Sequence, residues 1–141
     1  MTEQTDLAAR IATEAHKGQT RWDKTIPYIT HPAAVARALI EAGYSELYVS
    51  AAWLHDVIED TDITAQDLRD KGVDPDVIEA VKILSKTDDV SYLDYILAVS
   101  GNWLARVVKI HDLKHNMIDL KKGSMRQKYE LALYILEQCD E

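Results

Sequence analysis

The stretch Ala51-Ala52-Trp53-Leu54-His55-Asp56-Val57-Ile58-Glu59-Asp60-Thr61 passes from apolar to acidic within three helical turns. At helical spacing Leu47, Ala51, Leu54 and Ile58 form one apolar stripe, while Glu59 falls beside His55 and Asp60 beside Asp56. Such a stripe predicts a core helix ending in a cluster of ionisable groups. Acids stacked one turn apart repel by roughly a few tenths of a kcal/mol, and burying them costs far more unless a cation neutralises them. Read alone, the doublet His55-Asp56 could also close a core helix with a solvated exit. His31 and Asp112, each placed on a neighbouring predicted helix, favour a metal. Together the four residues offer two imidazoles and two carboxylates. That mixture suits Mn, Fe, Zn or Co and leaves coordination positions open for water and substrate.

Outward from this stretch, helix signals dominate and no sustained alternation marks a strand. The expected fold class is all-α, a single helical bundle. A first helix is predicted from about Leu7 to Lys17, with Asp6 as N-cap and Gly18 as stop. Gln19 to Thr30 reads as a loop containing Pro27. Thr30 then caps a second helix with Pro32 in its first turn, turning Val35, Leu39 and Ile40 inward and ending at Gly43. Ser45 caps the helix of the opening stretch. Thr64 with Asp67 and Ser91 with Asp94 read as capping boxes, and Asp74-Pro75 opens a helix to about Leu84. Asn102 caps a long helix that delivers Asp112, Asn116 and Asp119 about one turn apart, and Ser124 with Gln127 caps the last. Trp53 and Trp103 read as core.

At 141 residues the chain reads as one domain, 1–141, large enough to bury a core without disulfides. Its single cysteine, Cys139, has no partner and is compatible with a reducing cytosol. The N-terminus lacks a signal-peptide pattern, and no apolar run approaches the ~18 residues of a membrane span. A cytoplasmic protein without a membrane partner is expected. The net charge of -8 repels polyanions and argues against a nucleic acid partner, leaving a small anion bound through a metal as the compatible ligand. Lys121-Lys122 reads as a solvated turn.

Four linked motifs narrow the function. They are Ala15-His16-x-Gly18-Gln19-x-Arg21, Pro27-Tyr28-Ile29-x-His31-Pro32-x-x-Val35-Ala36, Leu54 to Thr61, and Val108-Lys109-Ile110-His111-Asp112-x-x-His115-Asn116-Met117. The order of histidine, His-Asp and distant Asp resembles the HD metal-dependent phosphohydrolases. The four motifs together resemble the hydrolase domain of the RelA/SpoT family of guanosine polyphosphate enzymes. The resemblance implies an all-α HD domain that removes pyrophosphate from the 3′ position of a guanosine polyphosphate with one Mn²⁺, Fe, Zn, Co or Mg being alternatives. It implies His31, His55, Asp56 and Asp112 as metal ligands, Glu59 and Asp60 as the acidic pair beside the attacking water, Arg21 as a nucleotide contact, and Asn116 as an amide that places the substrate.

The same residues can be argued chemically. A metal acidifies its water and shields phosphoryl charge, and Glu59 or Asp60 can take or relay the proton. Arg21, Lys24, Lys86 and Lys128 are candidate counter-ions for departing pyrophosphate. Two departures stand out: the loop reads Arg21-Trp22-Asp23-Lys24-Thr25, and Leu113 follows Asp112 where the family often has Arg. Trp22 could stack on a base or act as a lid. Alternative functions are a nucleotidase for simpler nucleotides and a metal-retaining nucleotide-binding protein. His16 reads as a hydrogen-bonded packing residue or a support for the site rather than a ligand, and His111 is expected to turn away.

Overall fold

In a computed structural model, which describes residues 2–120 and 122–138, the chain folds into helices, with no strand among the described residues. Lys121 and Cys139 lie outside the described residues. The helices are α1 (Glu3–Ala15), α2 (Thr30–Glu41), α3 (Glu46–Leu54), α4 (Val57–Asp60), α5 (Ala65–Asp70), α6 (Pro75–Leu84), α7 (Tyr92–Ser100), α8 (Trp103–Met117) and α9 (Ser124–Glu137). An isolated antiparallel bridge between Thr20 and Pro27 folds the loop after α1 into a tight excursion. No helix among the described residues is long and apolar enough to cross a membrane.

Local chemistry explains most boundaries. Asp74 accepts from the Asp76 N–H with Pro75 at the first helical position, and Asn102 accepts from Ala105. Thr64 and Asp67 form a reciprocal capping box, while Ser91 accepts from Asp94. Three expected starts differ. Thr2, not Asp6, caps α1, because Thr2 and Thr5 satisfy each other's backbone N–H groups and extend the helix by a turn. Thr30 lies inside α2 and donates its hydroxyl back to Pro27 O. Ser124 is the first helical residue of α9 after Gly123, whose φ of 111° suits glycine.

The organising element is α3. It packs against α1, α2, α6 and α8, and Val49, Ser50, Ala51, Ala52 and Leu54 are all buried. A helix apolar on every side belongs at the centre, and its alanines let neighbours approach closely. The helix stops earlier than its apolar stripe suggests. The His55 N–H reaches back to Ala52 O at 3.4 Å, a tightened final turn, and Asp56 becomes the N-cap of the short α4. Val57 and Leu54 remain buried on either side of the break.

Two apolar expectations fail for a geometric reason. Ile40 is 44% exposed because the inward face of α2 is set by Val35, Ala36 and Leu39, and the next residue turns away. Trp103 is 68% exposed at the first turn of α8, with the Arg106 guanidinium 5.5 Å from its ring. Trp53 does pack against the core. Leu39→Ala should therefore cost about 2–5 kcal/mol through the cavity it leaves. Trp103→Ala should cost less than about 1 kcal/mol, since it removes mainly a surface cation–π contact. Urea unfolding of both variants checks the contrast.

Candidate metal centre and adjoining groove

Each proposed ligand sits where an element ends or turns. His31 lies in the first turn of α2, His55 and Asp56 span the α3–α4 break, and Asp112 lies in the last turns of α8. Ligand atoms of His31, His55 and Asp112 come within 4.8 Å of one another, and all three residues are buried. His31 Nε2 is 2.7 Å from Asp112 Oδ1, and His55 Nε2 is 3.3 Å from the same oxygen. Asp56 stands beside them, its Oδ2 3.0 Å from His55 Nε2.

The hydrogen bonds fix how these groups present themselves. His55 Nδ1–H donates to Ala52 O at 2.7 Å, because a carbonyl can only accept. In the neutral ring Nε2 is then a bare lone pair facing two carboxylate oxygens, and it has no hydrogen-bond partner of its own. Three lone-pair atoms converging in a buried place call for a cation. His31 Nδ1 lies 2.7 Å from His115 Nδ1. With His31 donating there, its Nε2 turns a lone pair toward Asp112 Oδ1, the disposition of a ligand atom, and His115 fixes the ring as partners of metal-bound histidines do. Burial, His31 and Arg21 together hold the His115 pKa below the ordinary value, which favours the neutral ring that can accept at Nδ1.

Electrostatics agrees with a cation site. Burial alone would depress His55, yet Asp56 and Asp112 raise its pKa well above the ordinary histidine value. Burial opposes ionisation of Asp112, but Lys109, His55 and His31 hold it well below the carboxylate range. Asp56, despite burial, is brought down to about 2 by His55 and the Tyr28 hydroxyl. Lys109 Nζ bonds Asp112 Oδ2 at 2.9 Å and Asn116 Nδ2 bonds Oδ1 at 3.1 Å. Tyr28 donates its hydroxyl to Asp56 Oδ2. The donor chemistry suits a divalent ion with hard and borderline ligands.

A groove of two connected lobes opens beside this cluster. One, of about 480 Å³, is lined by Arg21, Trp22, Asn116, Asp119, Met125 and Tyr129 among others. The second, of about 290 Å³, contains His55, Asp56, Glu59, Asp60, Lys86 and Lys128. Tyr28, Asn116, Met125 and Tyr129 line both lobes. Arg21 Nη2 donates to Asn116 Oδ1 at 3.0 Å, with its guanidinium 5.8 Å from the Tyr28 ring, so these two residues meet as one unit. Lys128 Nζ lies 4.1 Å from the Tyr92 ring. Glu59 Oε1 accepts the Lys86 N–H at 2.9 Å. Burial and neighbouring carboxylates raise the pKa of both Glu59 and Asp60.

Lys24 is the candidate left apart, exposed on the tip of the turn between Thr20 and Pro27. His111 turns away, bonding Val107 O and facing Tyr44. Tyr28 and Lys109, which hold Asp56 and Asp112, carry no expected role from sequence. For Lys109 a signal existed, since a lysine three residues before a helical aspartate shares its face. For Tyr28 none did, because its reach to Asp56 depends on the loop path.

The HD domain family matches residues 8–121 of this chain. The bifunctional (p)ppGpp synthase/hydrolase SpoT of Escherichia coli K12 is 39% identical over 127 residues, covering 82% of this chain and 18% of that protein. A guanosine-3′,5′-bis(diphosphate) 3′-pyrophosphohydrolase of Vibrio cholerae is 40% identical over 111 residues, covering 78% and 16%. The chain thus spans under a fifth of the length of these curated relatives. A solved metazoan structure, described as an ortholog of SpoT that hydrolyzes ppGpp, superposes with a TM-score of 0.74 at 23% identity, covering 98% of this chain and 96% of its own. That likeness bears on the fold. Tyr28→Phe, which deletes the hydroxyl bonded to Asp56, should weaken Mn²⁺ binding by about 10–100-fold while circular dichroism stays unchanged. Calorimetric titration with Mn²⁺ measures this, and unaltered affinity would mean that Asp56 is held without the tyrosine.

Proposed function

Because the chain belongs to the HD domain family, we propose that it is a metal-dependent hydrolase that removes the 3′-pyrophosphate from a guanosine polyphosphate. The observation that carries this reading is the position of the His31, His55 and Asp112 cluster beside a two-lobed groove, with acids and lysines in one lobe and an arginine with aromatic walls in the other. A nucleotide with phosphates on both sides of its ribose can use both lobes. A simple mononucleotide leaves one largely idle. The names of the curated relatives point to the same substrate.

We assign His31, His55, Asp56 and Asp112 as ligands of one divalent ion, Mn²⁺ by preference. When bound, that ion acidifies its water and shields charge on the reacting phosphoryl group. Glu59 and Asp60 supply the base. Both line the groove with raised pKa values, which improves a carboxylate as a proton acceptor near neutral pH. Lys86 and Lys128, in the same lobe, offset the charge of departing pyrophosphate. Arg21, braced by Asn116 and Tyr28, presents a planar cation for a base face or a phosphate. Trp22, 76% exposed at the wall of the other lobe, offers an indole for stacking.

With Mn²⁺, guanosine tetraphosphate should give GDP and pyrophosphate. Release of orthophosphate from ordinary mononucleotides, with no pyrophosphate from the tetraphosphate, would overturn the assignment in favour of a nucleotidase. Asp60→Asn and Glu59→Gln should keep the metal yet lower kcat by about 10²-fold or more. A base works deprotonated, so kcat should rise with pH through an acid limb. That limb should lie above the ordinary values of 4.5 for Glu59 and 3.8 for Asp60, because both are raised. A pH–rate profile of the wild type and both variants tests the assignment, and a limb unchanged in both would place the titrating group elsewhere.

A further inference from the structure

One buried titratable side chain near the acids has no part in the chemistry so far. His16 ends α1, is 2% exposed, and comes from a segment about forty residues before Asp60 in the chain. Its Nδ1 lies 2.8 Å from Gln19 Oε1, and Gln19 Nε2 donates to Asp60 O at 3.0 Å. The carbonyl oxygen of Asp60 can only accept, which fixes the Gln19 amide with nitrogen toward α4 and oxygen toward His16. His16 must then carry hydrogen on Nδ1. Each polar group in this chain of bonds has one allowed orientation.

What it holds is a weak point. α4 is a single turn of four residues, too short to be stable alone, and its last carbonyls lack helical partners. Within the local backbone Asp60 N reaches Asp56 O and Thr61 N reaches Val57 O. From outside, Gln19 donates to the Asp60 carbonyl, as the Lys86 N–H does to the Glu59 side chain. The same turn also braces the other side of the cluster, since the Tyr28 N–H donates to Gln19 O at 2.8 Å and the His16 ring lies 4.9 Å from the Tyr28 ring.

We propose that His16 is a positioning residue for Asp60, acting through its Nδ1–H and the Gln19 amide to fix the single-turn helix that presents the acidic pair. The proposal rests on the hydrolase reading for its effect on turnover. Its structural content does not, because the brace tethers the α4 backbone whatever the substrate. The proximity of His16 also offsets part of the rise in the Asp60 pKa caused by burial.

Three variants separate the brace from simple packing. Gln19→Glu keeps an acceptor for His16 but replaces the donor to Asp60 O with an oxygen, and His16→Leu removes both ring nitrogens. His16→Asn keeps an N–H near the Nδ1 position and loses Nε2. Misplacing a catalytic group by an ångström or so can cost about 10²-fold, so Gln19→Glu and His16→Leu should lower kcat by about 10–100-fold with KM and bound Mn²⁺ unchanged. The double variant should be no worse than either single one, as expected for one shared contact. His16→Asn should restore most of the activity. Amide hydrogen exchange over Val57–Thr61 in the metal-free protein should be faster in Gln19→Glu and His16→Leu, and near wild type in His16→Asn. Unchanged exchange in Gln19→Glu, additive losses, or His16→Asn as impaired as His16→Leu would each overturn the proposal. If the wild type turns over no nucleotide, the hydrolase reading fails while the exchange rates still decide the brace.

Discussion

His55 imposes the constraint from which the rest of the site follows. Its Nδ1–H is committed to Ala52 O, so the opposite ring nitrogen is directed at Asp56 and Asp112 with both carboxylates largely ionised. Neutral imidazole and two carboxylates in a buried setting repel through their lone pairs. A proton on Nε2 relieves part of this, which is why the His55 pKa lies well above the ordinary value. A divalent ion among the same atoms relieves more, because it offers two charges and accepts donors from several directions. The surrounding residues then satisfy what the centre leaves over. Lys109 takes the second oxygen of Asp112, Asn116 the first, and Tyr28 holds Asp56.

The architecture keeps that constraint in place. Because α3 is surrounded by α1, α2, α6 and α8, its C-terminal end is fixed deep in the bundle, and the buried His55 side chain inherits that rigidity. His31 and Asp112 arrive from α2 and α8, both packed on α3. The centre therefore rests on rigid elements, the arrangement that holds a reactive geometry most firmly. The acidic pair is held differently. Glu59 and Asp60 lie beyond the α3–α4 break on one helical turn, tied by Lys86 and Gln19 from different parts of the chain.

That division also describes what could be read from the sequence. Capping residues and apolar spacing specified most helices, since Asp74, Ser91 and Asn102 act through neighbours only a few residues away. The convergence of His31, His55 and Asp112 was legible because few candidate donor sets combine histidines and aspartates on helical elements. The break after Leu54 was not, since the apolar stripe continues through Val57 and Ile58 and only the tightened turn at His55 reveals it. Continuous helix would stack Glu59 over His55. The break instead frees Glu59 to meet the Lys86 backbone. Tyr28 and Gln19 were equally hidden, because their roles depend on how the Thr20–Pro27 turn folds against α4 and α8.

The distribution of charge completes the physical picture. The chain carries sixteen basic and twenty-four acidic side chains, so its overall field opposes the approach of a polyphosphate. Within the groove the balance is different. Arg21, Lys86, Lys109 and Lys128 line the two lobes together with Asp56, Glu59, Asp60 and Asp112, and Asp119 adds one acid in the first lobe. Lys109 is spent on Asp112, while an ion bound by the ligand set would add two positive charges. The local site then turns attractive to an anion although the protein as a whole is not. Loading of the ion would thus be what makes the groove receptive to a phosphorylated ligand.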